Sequence, residues 1–224
     1  MIDMIWFDFG GVLSPPIPWL FDNYARKTGL RPKAMQGAMC TVAKDLGVPM
    51  LEPIECAMLT EREWGARLRI ALQEADPHCD TSAAQLETFG KQWFADVAPN
   101  QSMVAAVRAL KRAGKSVGIL TNNVVEWEPH WRAMVGLDDV VDIVVDSSKV
   151  RCRKPDARIF QIACERAGVH ASKSLLIDDL PENVEAARDL GWNAILFTHN
   201  EDALDRLQRW TGVNIIRTEG ALFE

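Results

Sequence analysis

The sequence predicts an α/β protein, a parallel sheet with helices on both faces. Three observations carry that reading. Short apolar runs recur at Met4–Phe7, Ser116–Leu120, Val140–Val145, Ser174–Ile177 and Ala194–Phe197, each about as long as a fully buried strand. Helical patterns separate the later runs, with Pro in the first turn and Gly just past the end. Strand and helix alternate, the order that builds a parallel sheet. At 224 residues, 48% hydrophobic and 25% charged, the chain can bury one sizeable core and still carry an insertion.

The elements follow in order. Met4–Phe7 ends in Asp8, with Gly10 and Gly11 close behind. From about Ser14 to Pro99 no buried strand is evident. That interval holds helical stretches at Trp19–Thr28 and Glu61–Glu74, broken by Pro and Gly. It reads as a smaller helical domain, residues 15–97, inserted into a core of residues 1–14 and 98–224. Met35, Met39, Met50 and Met58 offer it a pliable apolar interior, and Trp19, Trp64 and Trp93 read as packing residues. Val104, Val107 and Leu110 mark a helix that Gly114 stops before the second strand. Trp127 and Trp131 follow that strand at helical spacing, as core or interface residues. Pro155 opens a helix carrying Ile159, Phe160 and Ile162, closed by Gly168. Pro181 opens another carrying Val184, Ala187 and Leu190, closed by Gly191. The segment "ALDRLQRW" predicts a last helix and "GVNII" an edge strand.

Composition narrows the function classes. A net charge of −6 and a pI of about 5.3 argue against nucleic acid as a partner. No apolar run nears the ~18 residues a membrane span needs. The start of the chain lacks the basic region of a secretory signal, so a cytoplasmic protein is expected, as monomer or homodimer. Cys40, Cys56, Cys79, Cys152 and Cys164 contain no C-x-x-C pair and read as free thiols.

Ligands of an open parallel sheet bind beyond the carboxyl ends of its strands. Asp8 follows the first run and Thr121, Asn122 and Asn123 the second. Asp146 follows the third, with Lys149, Arg151, Arg153 and Lys154 behind it, and Asp178 and Asp179 follow the fourth. Hard carboxylate oxygens from Asp8, Asp178 and Asp179 suit Mg²⁺. Thr121 and Lys154 suit a phosphate or other small anion, and a carboxylate beside a metal and a lysine is a plausible nucleophile. Taken singly, Asp8 is a turn or cap residue, Thr121 to Asn123 an ordinary loop, and Lys154 a solvated lysine. Their joint occurrence at successive strand ends favours a site.

These four stations resemble the motifs of the haloacid dehalogenase (HAD) superfamily. "WFDFGGVL" resembles the first motif, D-x-D-G-[TV]-L, and "GILTNN" the second, a strand ending in Thr/Ser-Asn. "RCRKPDARIF" resembles the third, a lysine before Pro-Asp. "LLIDDLPENVEAARDLGWNAI" resembles the fourth, D-D-x-x-x-N-x-x-A-A-x-x-x-G. The resemblance implies a Rossmann-like, doubly wound parallel sheet with the insertion as a helical cap. It implies a Mg²⁺-dependent phosphatase acting on a small phosphorylated metabolite. Asp8 would be the nucleophile that forms an aspartyl-phosphate and a metal ligand. The Gly10 carbonyl and Asp179 would complete the ligands, with Asp178 behind or beside them. Thr121, the Asn122 N–H and Lys154 would hold the phosphoryl group. No G-x-G-x-x-G follows a strand, so no dinucleotide is expected.

One departure stands out. Gly10 occupies the position of the second Asp, the general acid and base of family phosphatases. Its loss typically costs ~10²–10⁴-fold. A D-x-G-[GN]-V form occurs in the branch that resembles sugar-phosphate phosphatases and the N-terminal domains of epoxide hydrolases. Weak or selective activity on good leaving groups is expected, with Asp22 and His130 as candidate proton donors. The main alternative is a phosphate- and Mg²⁺-binding module without catalysis. A 2-haloacid dehalogenase, which would have no use for the Asp178–Asp179 pair, and a phosphotransferase or mutase rank lower.

Overall fold

The computed structural model describes residues 2–215. Five parallel strands form one sheet: β1 (Met4–Phe7), β2 (Ser116–Thr121), β3 (Ile143–Asp146), β4 (Ser174–Asp178) and β5 (Asn193–Leu196), in the order β3-β2-β1-β4-β5. Phe7 pairs in register with Ile119 of β2 and Ile177 of β4. β1 is therefore central, and the chain order reverses beside it. That reversal leaves a crevice at the carboxyl edge.

Every β1 residue is buried, yet the two-residue period still sorts them. Ile5 and Phe7 join one apolar cluster with Val117, Ile119, Leu175 and Ile177. Met4 and Trp6 join the other with Leu120, Val145 and Leu176. On that second face lie α9 (Ala157–Ala167), through Ile159 and Phe160, and α10 (Pro181–Asp189), through Val184 and Ala187. The first face receives α6 (Gln101–Arg112), α7 (Glu128–Val135) and α11 (Asn200–Thr211). Sheet and helices on both sides make the α/β arrangement that the alternation predicted, Rossmann-like as the family resemblance implied.

Between β1 and β2 lie helices and no strand: α1 (Ile17–Thr28), α2 (Pro32–Asp45), α3 (Glu52–Glu55), α4 (Glu61–Ala75), α5 (Phe89–Phe94) and α6. Thr60 starts α4 with a capping box, its hydroxyl accepting from the Glu63 N–H. The insertion shares the first apolar cluster with the sheet: Leu20, Tyr24, Met35, Met39, Trp64, Leu68 and Phe89 are continuous with Ile5 and Phe7. An aromatic chain crosses the junction, with Phe9 against Phe94 at 5.8 Å and against Trp131 at 5.3 Å. Met50 packs on this cluster, whereas Met58 is exposed.

Some boundaries differ from expectation. β3 begins at Ile143, because the Val140 and Val141 N–H groups bond the Leu137 carbonyl in a turn. The "GVNII" segment is no edge strand through Ile215, since Gly212 ends α11 in a left-handed conformation and no strand follows β5 among the described residues. Its last residue, Ile216, lies outside the described residues.

Candidate active site

Asp8 stands directly beyond β1, its N–H bonded to the Ile177 carbonyl at 2.8 Å. The chain then turns sharply through Phe9–Leu13. Gly11 adopts φ +72°, and its N–H donates to Ser14 Oγ at 3.0 Å. A Cβ on Gly11 would stand 2.3 Å from Asp179 Oδ2, so the glycine makes room for that carboxylate. Of the two glycines, only Gly11 takes a conformation that the turn demands. Gly10 has φ −64° and ψ 124°, which any residue adopts. A Cβ there would meet Ile17 Cδ1 at 3.4 Å and Asp8 Oδ2 at 3.9 Å. The missing side chain leaves room beside the Asp8 carboxylate.

Lys154 is 1% exposed. Its ammonium donates to Asp8 Oδ1 at 2.8 Å, Asp178 Oδ2 at 2.6 Å and the Leu120 carbonyl at 2.8 Å, which uses all its donors. Asp178 Oδ1 accepts from the Leu180 N–H at 3.0 Å and Asn183 Nδ2 at 2.9 Å. Asp178 is thus held on both oxygens. Asp179 is partly exposed and turned toward Gly11. Oxygens of Asp8, Asp178 and Asp179 all lie within 4.8 Å of one another, a set able to hold a cation.

The electrostatics reflect that crowding. Burial pushes the Asp8 carboxyl up to about 8; Lys154 opposes the shift, and Asp178 and Asp179 add to it. Burial and Asp178 raise Asp179 to about 6. Lys154 goes up despite its burial, because Asp178 and Asp8 stabilise the ammonium. Three carboxylates face one lysine, and the site is short of positive charge.

Thr121 ends β2 fully buried, and its hydroxyl makes two long contacts of 3.4 Å, with the Asn122 carbonyl and the Asn123 amide. The Asn122 side chain clamps the Lys154 backbone, Nδ2 donating to the carbonyl at 2.9 Å and Oδ1 accepting from the N–H at 2.8 Å, which leaves its own N–H free, among the described residues, for the expected role. Asp146 stays out of the carboxylate cluster and caps α8 (Ser147–Val150), accepting from the Ser148 N–H at 2.9 Å. Asp22 is exposed on α1. His130 lies near Glu61, whose carboxyl is raised by burial against the opposing Gly90 N–H, Trp127 and His130.

Three contributors escaped the sequence reading. Asn183, the amide inside the fourth motif, orients Asp178; its fixed offset from the double acid was the available signal. Glu61 accepts from the Gly90 N–H at 2.6 Å and Trp127 Nε1 at 2.7 Å, pinning the insertion to the loop after β2. Glu55 meets the loop before Lys154 through Arg153. No local pattern announces a buried glutamate in a helix.

Comparison with known proteins agrees with this arrangement. The family model of haloacid dehalogenase-like hydrolases matches residues 2–191. Phosphatase MT3486 of Mycobacterium tuberculosis is 33% identical over 105 residues, 46% of this chain and 48% of that protein. Bifunctional epoxide hydrolase 2 of Sus scrofa is 29% identical over 123 residues, 53% of this chain and 22% of that protein. The chain spans less than half the length of these curated relatives. Among solved structures, a HAD family enzyme of Bacteroides thetaiotaomicron superposes with a TM-score of 0.66 at 19% identity, covering 92% of this chain and 98% of that one. The same enzyme has been crystallised with magnesium and inorganic phosphate. L-2-haloacid dehalogenase of Xanthobacter autotrophicus superposes at 0.63 with 17% identity, covering 96% and 85%. At such identities the structural likeness is one of fold. The strand-end motifs, the sheet order and a family match over most of its length put the chain among the haloacid dehalogenase-like hydrolases.

Proposed function

We propose that this hydrolase is a Mg²⁺-dependent phosphatase acting on a small phosphorylated metabolite with a good leaving group. The observation that carries this reading is the three-carboxylate cluster against a single buried lysine. Hard oxygen donors in negative excess fit a divalent cation, which the oxygens of Asp8 and Asp179 and the Gly10 carbonyl would hold, with Asp178 behind them. Bound there, Mg²⁺ would neutralise Asp8 and the phosphoryl oxygens.

The chain's own groups supply the rest. Asp8 attacks phosphorus, a new carboxylate–phosphorus bond forms, and the leaving oxygen departs with the bonding pair. Water then cleaves the aspartyl-phosphate and releases inorganic phosphate. Lys154 holds Asp8 in place and offsets charge on the transferring group. The Thr121 hydroxyl and the Asn122 N–H receive the phosphoryl oxygens. Gly10 brings no proton to the leaving group. Acyl phosphates and sugar 1-phosphates leave without one more easily than alkyl phosphates do, so they are the expected substrates. The insertion, residues 15–97, serves as the cap over the site and sets substrate choice.

The test is hydrolysis of acetyl phosphate and p-nitrophenyl phosphate, with and without Mg²⁺. Metal-dependent turnover that vanishes in Asp8→Asn supports the reading. The space at Gly10 also favours a second reading, a phosphate- and metal-binding module without turnover. Phosphate binding with no hydrolysis of either compound would select it. Dehalogenation is disfavoured, because displacement at carbon has no use for the excess carboxylates.

A further inference from the structure

We propose that Glu55 is a positioning residue through which docking of the helical insertion sets both the Thr121 loop and Lys154; this rests on the reading of those residues as the anion-holding groups. Glu55 ends the short helix α3, in the insertion, and is buried. Two different parts of it reach two different catalytic loops. Its carboxylate forms an ion pair with Arg153, Oε2 lying 3.0 Å from Nε. Arg153 immediately precedes Lys154. The main-chain carbonyl of Glu55 accepts a hydrogen bond from Ser147 Oγ at 2.7 Å. That hydroxyl, fully buried just beyond β3, accepts in turn from the Asn123 N–H at 3.0 Å. Asn123 touches the Thr121 hydroxyl, and Asn122 clamps the Lys154 backbone.

The two loops are thus tied to each other by Asn122 and to the insertion by Glu55. Lys154 has little tolerance for displacement, because its ammonium must reach three acceptors at once. The pair joins buried Glu55 to partly exposed Arg153, and losing Arg153 leaves a buried carboxylate without its nearest cation. Glu55 itself sits behind the loops and touches none of the reacting atoms. A shift of one ångström at a positioned group can cost ~10²-fold in rate.

Two readouts test this, one independent of activity. The first is amide hydrogen exchange at the Asn123 and Lys154 N–H groups in Glu55→Gln, Glu55→Ala and wild type. Both amides report on bonds in the network, to Ser147 Oγ and Asn122 Oδ1. Faster exchange at both, with the β1 and β4 amides unchanged, is expected. The second is kinetics on acetyl phosphate with Mg²⁺. For the Glu55 variants kcat should fall about 10- to 100-fold with KM within about twofold. Arg153→Lys, which keeps the charge, should retain most activity where Arg153→Ala does not. Glu52→Gln, in the same helix, should change neither readout. If wild type does not hydrolyse acetyl phosphate, the phosphatase reading fails and the exchange data alone decide the positioning role. Folded Glu55 variants with wild-type exchange at both amides would overturn the proposal.

Discussion

A Cβ added at Gly11 would stand 2.3 Å from Asp179 Oδ2, on a backbone whose φ of +72° already disfavours a side chain. Gly11→Ala should therefore push Asp179 away, beyond the ~1–2 kcal/mol cost of the left-handed backbone alone. Weaker Mg²⁺ binding, measured by calorimetry, would report the displacement. Gly10 differs on every count: its backbone is ordinary, and the nearest atoms to a new Cβ are 3.4 and 3.9 Å away. Gly10→Asp should be tolerated and should set a carboxyl beside Asp8. Turnover of p-nitrophenyl phosphate should rise at least about tenfold, toward the ~10²–10⁴-fold that a general acid typically contributes. Turnover of acetyl phosphate, whose leaving group needs the proton least, should change little. Equal gains on both compounds would mean that the aspartate acts in some way other than protonation. The sequence made Asp8, Thr121, Lys154, Asp178 and Asp179 legible as candidates because each comes after one of the apolar runs, Lys154 within the motif that follows the third. It could not separate the two glycines, since that distinction rests on a dihedral angle and on where Asp179 turns.

Elements joined by their own hydrophobic period were readable in advance, and elements joined by long-range polar contacts were not. α6, α9 and α10 follow from apolar spacing and their Pro and Gly limits, while β3 was misplaced because Val140 and Val141 look like strand residues but lie in a turn on Leu137. The link between α4 and the loop after β2 had no such trace. Glu61 finds its partners 29 and 66 positions away, at Gly90 and Trp127. Trp127 also stacks on Phe89 at 5.5 Å and 21°, and it lies so close to Gly90 that a Cβ there would stand 2.3 Å from Trp127 Cδ1. Trp127→Phe would keep the ring contact and remove the donor to Glu61. Leaving that buried carboxylate one partner short should cost about 1–3 kcal/mol in urea denaturation. Removing a ring from within the insertion should cost more: Trp64→Ala, at a fully buried position, should lose about 3–5 kcal/mol. Because sheet and insertion share one apolar cluster, both losses should appear as a single cooperative transition. A separate early transition of the insertion would show that the two unfold independently.

At the scale of the whole molecule, the crowded carboxylates make stability depend on pH in an unusual direction. Asp8 is pushed up to about 8 and Asp179 to about 6 from an ordinary value of 3.8. Between those limits the folded, metal-free protein holds protons that the unfolded chain has released. Stability therefore falls as pH rises from about 4 toward about 8, because the unfolded state binds fewer protons in that window. Lys154 works the other way round: its raised pKa means its contribution is complete below its ordinary value of 10.5 and is lost only above it, so its charge is constant throughout. A cation that occupies the cluster must displace the protons on Asp8 and Asp179, so binding strengthens as pH rises. Thermal melting with EDTA should then show Tm declining from about pH 5 to about pH 8, while added Mg²⁺ raises Tm more at the higher pH than at the lower. Asp179→Asn should flatten both trends, because it removes one of the raised carboxyls and, on the proposed reading, a metal ligand with it. A Mg²⁺ shift of equal size at both pH values would count against cation binding at these carboxylates, since no proton would then be exchanged for the metal.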